Sequence, residues 1–200
     1  MYVASEGYVL DLVIRGGTVV APVGVGNWDV AIQGEQIVSL SAPGTPTADV
    51  ARVIDATGKL VVPGGIDPHV HCGWPIPDPP GFSAGPSVVS RAGIYGGTTT
   101  LIDFAAWRPG ETLEQTIERR NQDWKGTCYT DYAFHVMLNG ALPWALLDQI
   151  PETISAGYPS YKLFMTNIWP HNTGWKVQLG HIWEVLQRTA RHGGDRKSVV

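Results

Sequence analysis

Only two cysteines, Cys72 and Cys128, occur in 200 residues. Two thiols make no disulfide framework, which fits a reducing compartment and leaves the hydrophobic core to hold the fold. Charge is also sparse: Asp, Glu, Lys and Arg make up 16% of the chain, and the net charge is −4 with both signs interspersed. That distribution offers no basic stripe for nucleic acid and no polybasic segment for a membrane surface. No apolar run approaches the roughly 18 residues needed to cross a bilayer. The opening MYVASEGYVLDLVIRGG lacks the charged-then-apolar order of a secretion signal. These absences predict a cytoplasmic protein whose partners are small molecules rather than nucleic acid or membrane.

What is present is a large apolar fraction, 44% of the chain, enough for one or two buried cores. Gly and Pro, at 24 and 15 copies, sit at intervals between periodic segments and read as turn punctuation. Through residue 62, short β-type runs alternate with turns: Tyr8 to Ile14, Thr18 to Ala21, Trp28 to Gln33 and Ile37 to Leu40. The spacing predicts a small β-meander. After Pro63-Gly64-Gly65, strand-like runs alternate with longer helical stretches, the rhythm of a parallel βα architecture. Strands are predicted near Ile66 to His71, Thr99 to Phe104, Tyr132 to Leu138 and Ser160 to Met165. Helices are predicted near Gly85 to Tyr95, Thr112 to Gln122, Pro143 to Ala156 and Leu179 to His192. In the last of these, Ile182, Val185, Leu186 and Thr189 recur at helical spacing and should face the sheet. A closed (β/α)8 barrel takes about 250 residues, so residues 63–194 amount to its first four βα units.

The motif with most chemistry is Asp67-Pro68-His69-Val70-His71, after the apolar Val61-Val62-Pro63-Gly64-Gly65. Residues two apart on a strand point to one face, so both imidazoles would project together at the strand's C-terminal end and hold a metal ion. Alone, an H-x-H also suits two exposed polar residues at a strand end. A second signal is Lys162 in Ser160-Tyr161-Lys162-Leu163-Phe164-Met165. Inside an apolar strand a lysine must snorkel, pair or be chemically altered.

The run GKLVVPGGIDPHVH resembles the amidohydrolase signature, and S-Y-K-L-F-M resembles the bridging-lysine strand of the hydantoinase and dihydropyrimidinase family within that superfamily. Gly96-Gly97-Thr98-Thr99-Thr100 leading into Ile102-Asp103-Phe104, and Asp131 to Val136, extend the likeness from about Leu10 to Gly194. The resemblance implies an α/β fold: an N-terminal β-sandwich portion over residues 1–62, then the first half of a metal-dependent TIM barrel over 63–194. It implies a zinc-dependent hydrolase that opens a cyclic amide or imide ring C–N bond. His69, His71 and Lys162 are then metal ligands, with carboxylated Lys162 bridging two zinc ions. Two more histidines and a general-base aspartate are expected beyond these residues, so this fragment alone should be inactive. Asp67, Asp103 and His135 are candidates for orienting the ligands. His171, His181 and His192 read as surface residues. The full-length form is expected to be a homotetramer.

Some positions depart from family patterns. Gly73 stands where dihydroorotases carry arginine and allantoinases asparagine, whereas Pro75 agrees with hydantoinases. Asn167 replaces a tyrosine expected near the reacting amide. With Trp169 in the Trp-rich stretch Ile168 to Trp175, it suggests a substrate loop of altered shape. Asp195 to Val200 reads as a translated sequencing-adapter stretch, GATCGGAAGAGCGTCGTG, and is expected to be a non-native tail. The alternatives are another cyclic amidohydrolase such as an allantoinase, or a non-catalytic dihydropyrimidinase-like scaffold; scaffold relatives generally lack these histidines and the lysine.

Overall fold

The computed structural model describes residues 9–45, 49–167 and 174–199, the last five by backbone alone. The chain divides into two units, Met1–Pro63 and Gly64–Val200. The first holds β1 (Val9–Leu10), β2 (Leu12–Arg15), β3 (Thr18–Ala21), β4 (Gly24–Asn27), β5 (Asp29–Gln33), β6 (Gln36–Ser41), β7 (Asp49–Val50), β8 (Val53–Asp55) and β9 (Leu60–Val61). They form a four-stranded sheet β6-β5-β2-β8, a three-stranded sheet β4-β3-β9 and the pair β1-β7. A simple meander does not form. β2 pairs antiparallel with β5 but parallel with β8, and β3 pairs antiparallel with β4 but parallel with β9. The sequence hid these partners: Gly24-Val25-Gly26-Asn27 has no apolar alternation, and β7 to β9 are only two or three residues long. Val13, fully buried in the middle of the larger sheet, packs with Leu10 and Ala31.

The second unit contains β10 (Gly65–Asp67), β11 (Pro75–Pro77), β12 (Pro80–Phe82), α1 (Pro86–Tyr95), β13 (Thr98–Ala106), α2 (Leu113–Trp124) and β14 (Asp131–Met137). After these come α3 (Trp144–Leu147), α4 (Ile150–Ser155), β15 (Ser160–Leu163), α5 (Leu179–Arg191) and β16 (Asp195–Val199). A mixed α/β architecture results, built on a sheet β10-β13-β14-β15-β16 that is parallel throughout. Such a sheet is buried on both faces, and its side chains alternate between them. Leu101, Ala105, Phe134, Val136, Tyr161 and Leu163 join the helices in the main core. Phe104, Met137 and Phe164, of opposite parity, form a separate aromatic cluster with Trp74 and Trp175.

Four details differ from the sequence reading. The strand expected through His71 ends at Asp67, because Pro68 has no N–H for the ladder. The helix expected over Pro143 to Ala156 is two helices, with Pro151 in the first turn of the second. A small antiparallel hairpin, β11-β12, occupies a proline-rich stretch that carried no strand signal. Residues Asp195–Val199, read as lying past the fourth unit, pair by backbone with β15 as a fifth strand. α2 starts where expected: Thr112 and Gln115 form a reciprocal capping box.

Candidate metal centre

His69 and His71 stand just past β10, and Lys162 rises from β15 on the same side of the sheet as the aromatic cluster. The two Nε2 atoms lie 3.3 Å apart, and Lys162 Nζ is 3.5 Å from His69 Nε2. Phe104 is the floor beneath all three. Both imidazole centroids are 4.8 Å from its ring, His71 stacked at 18°, and Nζ sits 4.6 Å from the ring centroid. Lys162 is only 5% exposed and also faces Phe164 at 5.3 Å. The strand period explains this: with Tyr161 and Leu163 in the helix-side core, Lys162 must occupy the opposite face.

The histidine segment is tied on both sides. Upstream, the Asp67 carboxylate accepts from His69 N–H at 3.0 Å, and His135 Nε2 lies 3.0 Å from the Pro68 carbonyl. A carbonyl only accepts, so His135 carries its proton on Nε2, and in the neutral ring Nδ1 accepts from the Ser160 hydroxyl. Val70 N–H donates to Ile102 O at 3.1 Å. Downstream, the Ser83 hydroxyl donates to His71 O at 2.5 Å and accepts from Trp74 N–H at 2.9 Å. Asp103 is fully buried and on the helix-side parity. It accepts from Phe104 N–H, Trp74 Nε1–H and Cys72 N–H and pairs with Arg120. Burial pushes the Asp103 carboxyl above the usual range even though Arg120 opposes the shift. The neighbouring Cys72 thiol is pushed up to about 12, chiefly by burial.

Beside these groups opens a cavity of about 580 Å³ lined mainly by apolar side chains, among them Trp74, Ile76, Met137, Phe164 and Trp175, with His71 and Lys162 at its wall. The donor set suits a divalent ion. An ion roughly 2.0–2.1 Å from each imidazole nitrogen, at their 3.3 Å separation, would subtend about 107°, close to tetrahedral. Among the described residues no group of three or more His, Cys, Asp or Glu side chains converges for a metal. Beside the two imidazoles stands Lys162, whose Nζ offers a lone pair only when deprotonated.

Not every candidate lies here. Asn167 accepts from Lys176 N–H at 3.0 Å, closing the base of the loop. Trp169 and His171 lie outside the described residues. His192 is exposed, but His181, read as a surface residue, is buried, stacked 4.1 Å from Trp144. Its place beside the stripe of Ile182 and Val185 turns it inward. Arg120 went unread, although Leu113, Thr116, Ile117, Arg120 and Trp124 are the buried stripe of α2, and an arginine on such a stripe signals a buried partner.

A D-hydantoinase from Streptomyces coelicolor is 33% identical over 188 residues, covering 91% of this chain and 38% of the relative. One from Geobacillus stearothermophilus is 35% identical over 156 residues, covering 76% and 32%. The crystal structure of dihydropyrimidinase from Brevibacillus agri superposes with a TM-score of 0.79 at 30% identity, over 92% of this chain and 38% of that one. The chain belongs to the hydantoinase and dihydropyrimidinase family. This hydantoinase relative spans under two fifths of the length of the proteins it matches. No protein-family model matches it. No helix among its described residues is long and apolar enough to cross a membrane.

Proposed function

We propose that this chain carries part of the active site of a metal-dependent hydrolase that opens a ring C–N bond in a cyclic amide or imide. The observation that carries the proposal is the convergence of His69, His71 and Lys162 on one face of a parallel sheet beside an apolar cavity. His69 and His71 would hold a zinc ion, and Lys162 would join two such ions once carboxylated. Its ammonium would first lose one proton, and the neutral amine would then add to carbon dioxide and lose a second, so that a buried cation becomes an anionic oxygen donor. Zinc, when bound, would lower the pKa of a water and polarise the amide carbonyl. The chain's own residues do the rest of the positioning. Phe104 fixes the planes of both imidazoles. His135 and Asp67 hold the peptide on which His69 sits. Trp74, Phe164 and Trp175 give a ring-shaped substrate an apolar wall and keep water from it.

The remaining ligands and the general base belong, on this reading, to parts of the family not spanned here, which complete a (β/α)8 barrel; the first unit is read as part of a β-sandwich. Zinc content after dialysis tests the metal reading. The wild-type chain should retain zinc, and His69→Ala, His71→Ala and Lys162→Ala should each lose most of it. Equal zinc in wild type and the three variants would refute the assignment. Ring opening of a hydantoin or dihydropyrimidine is expected from a protein of the relatives' full length and not from these 200 residues; turnover by the short chain would overturn that division.

A further inference from the structure

We propose that the buried Asp103–Arg120 pair is the positioning device that fixes His71 against His69 and Lys162, so that Arg120 sets the site's affinity for a divalent ion. The inference rests on the metal reading of the site. Arg120 is 8% exposed on α2, across the sheet from the cavity. Its Nη2 donates to both the Cys72 carbonyl and the Asp103 carboxylate, while Nη1 donates to Asp123 at 2.8 Å. Asp103 returns to the same peptide, accepting from Cys72 N–H at 3.4 Å. One ion pair therefore clamps both polar atoms of the residue that follows His71. The pair also holds Trp74, through its indole N–H to Asp103 at 3.2 Å and through the Arg120 guanidinium 5.9 Å from its ring. Trp74 in turn packs edge-on to the His71 imidazole, 5.0 Å away. Phe104 N–H donates to the same carboxylate at 2.7 Å, so the floor under both histidines is set by it too.

An apolar pair of similar volume would hold α2 against the sheet as well or better, since a buried ion pair is poor value for stability alone. What it would not do is grip a peptide N–H and C=O at once. Arg120 reaches the Cys72 carbonyl and Asp103 with Nη2 while Asp123 braces Nη1, a planar spread of donors that the compact point charge of a lysine ammonium does not reproduce. The parity of β13 completes the argument. Asp103 faces the helices while Phe104 faces the site, so positional information crosses the sheet within two adjacent residues.

The test measures zinc affinity by competition with a chromophoric chelator, with the d–d spectrum of bound cobalt as a geometric readout. It compares wild type, Arg120→Lys, the double variant D103N/R120M, and Leu147→Ala, a destabilising change in the helix-side core. Arg120→Lys and the double variant should lose roughly 10–100-fold in zinc affinity and alter the cobalt spectrum. Leu147→Ala should stay within about twofold, because affinity does not follow stability alone. Wild-type affinity and spectrum in either folded Arg120 variant would overturn the proposal. So would an equal loss in Leu147→Ala, or failure of both Arg120 variants to fold, since the pair would then be serving the fold. If wild type itself binds neither ion, the metal reading falls and takes this inference with it; if wild type binds and the variants match it, only this inference fails.

Discussion

Removing one member of the Asp103–Arg120 pair should cost far more than removing both. In Asp103→Asn the Oδ1 position still accepts from Phe104 N–H and Trp74 Nε1–H, since both bonds fall on that oxygen. The other position turns from acceptor to donor, facing Arg120 and Cys72 N–H. The guanidinium then loses its buried counter-charge and keeps only the half-exposed Asp123, a loss of up to about 3–5 kcal/mol. Adding Arg120→Met removes that charge, and what remains is a less well satisfied Cys72 peptide, about 1–3 kcal/mol. Domains of this class unfold at a cost of about 5–15 kcal/mol, so the single variant should lose a large share of its stability. At roughly 2–4 °C per kcal/mol for a domain of this size, its melting point should fall by about 6–20 °C. Arg120→Met alone should be milder and pH-dependent. Without Arg120 the folded-state pKa of Asp103, already raised, rises further. The deficit is then full above that pKa and shrinks as pH falls through it, because the folded state takes up the proton. Urea titrations of the three variants at two pH values give the cycle. A double variant as unstable as the sum of the singles, or an Asp103→Asn loss below about 1 kcal/mol, would refute the reasoning.

The Cys72 thiol, held near 12 mainly by burial, should resist iodoacetamide at pH 8 in the native chain and react only after unfolding; rapid native labelling would mean the segment after His71 opens. Because its folded pKa is raised, the stability tied to this thiol should be intact below the ordinary thiol pKa and fade as pH rises above it, visible as an alkaline fall in melting point absent from Cys72→Ala. Thr112→Ala, which breaks the capping box of α2, should cost about 1 kcal/mol in urea without altering zinc content. Gly140→Ala should be worse, by about 1–3 kcal/mol: its φ is +69° and an added Cβ would come within 2.6 Å of Gly174 O. Because Gly140 N–H holds Trp175 O at 3.0 Å, a shift in tryptophan fluorescence should accompany that loss.

The parts of the site legible in the sequence were those whose chemistry is unusual for their position. His69 and His71 two residues apart after a Pro-Gly turn, and a lysine between Tyr161 and Leu163, each break a local rule, and the structure brings them together. Parity along a strand carried the geometry for Lys162, since it needs only the period of two, whereas His69 and His71 lie past the end of β10. The supporting residues were less legible because nothing local marks them. Ser83 reaches the His71 carbonyl across the β11-β12 hairpin, whose prolines erase strand periodicity. Asn167, read as part of a substrate loop of altered shape, has a partner that no local pattern marks: its side-chain oxygen accepts from Lys176 N–H.

The two faces of the sheet divide the work, and the division explains why the ligands sit where they do. The helix side holds the large aliphatic and aromatic core that stabilises the unit, from Leu101 to Val185. The other side holds few side chains, and they are mostly rings: Phe104, Phe164, Trp74 and Trp175. Rings make a rigid floor, because they have only two torsions and pack edge to face. They also tolerate a cation, so Lys162 can be buried over Phe104 and Phe164 at a reduced cost before any modification. An aliphatic floor would offer no such relief. Phe104→Leu should therefore trouble the lysine more than the histidines. With the quadrupole gone from one of its two aromatic neighbours, the buried ammonium loses support worth about 0.5–2 kcal/mol. A double-mutant cycle of Phe104→Leu with Lys162→Met, read by urea titration, isolates that coupling: Phe104→Leu should cost less in the Lys162→Met background than in wild type. Equal costs in the two backgrounds would mean that the ring serves only to pack.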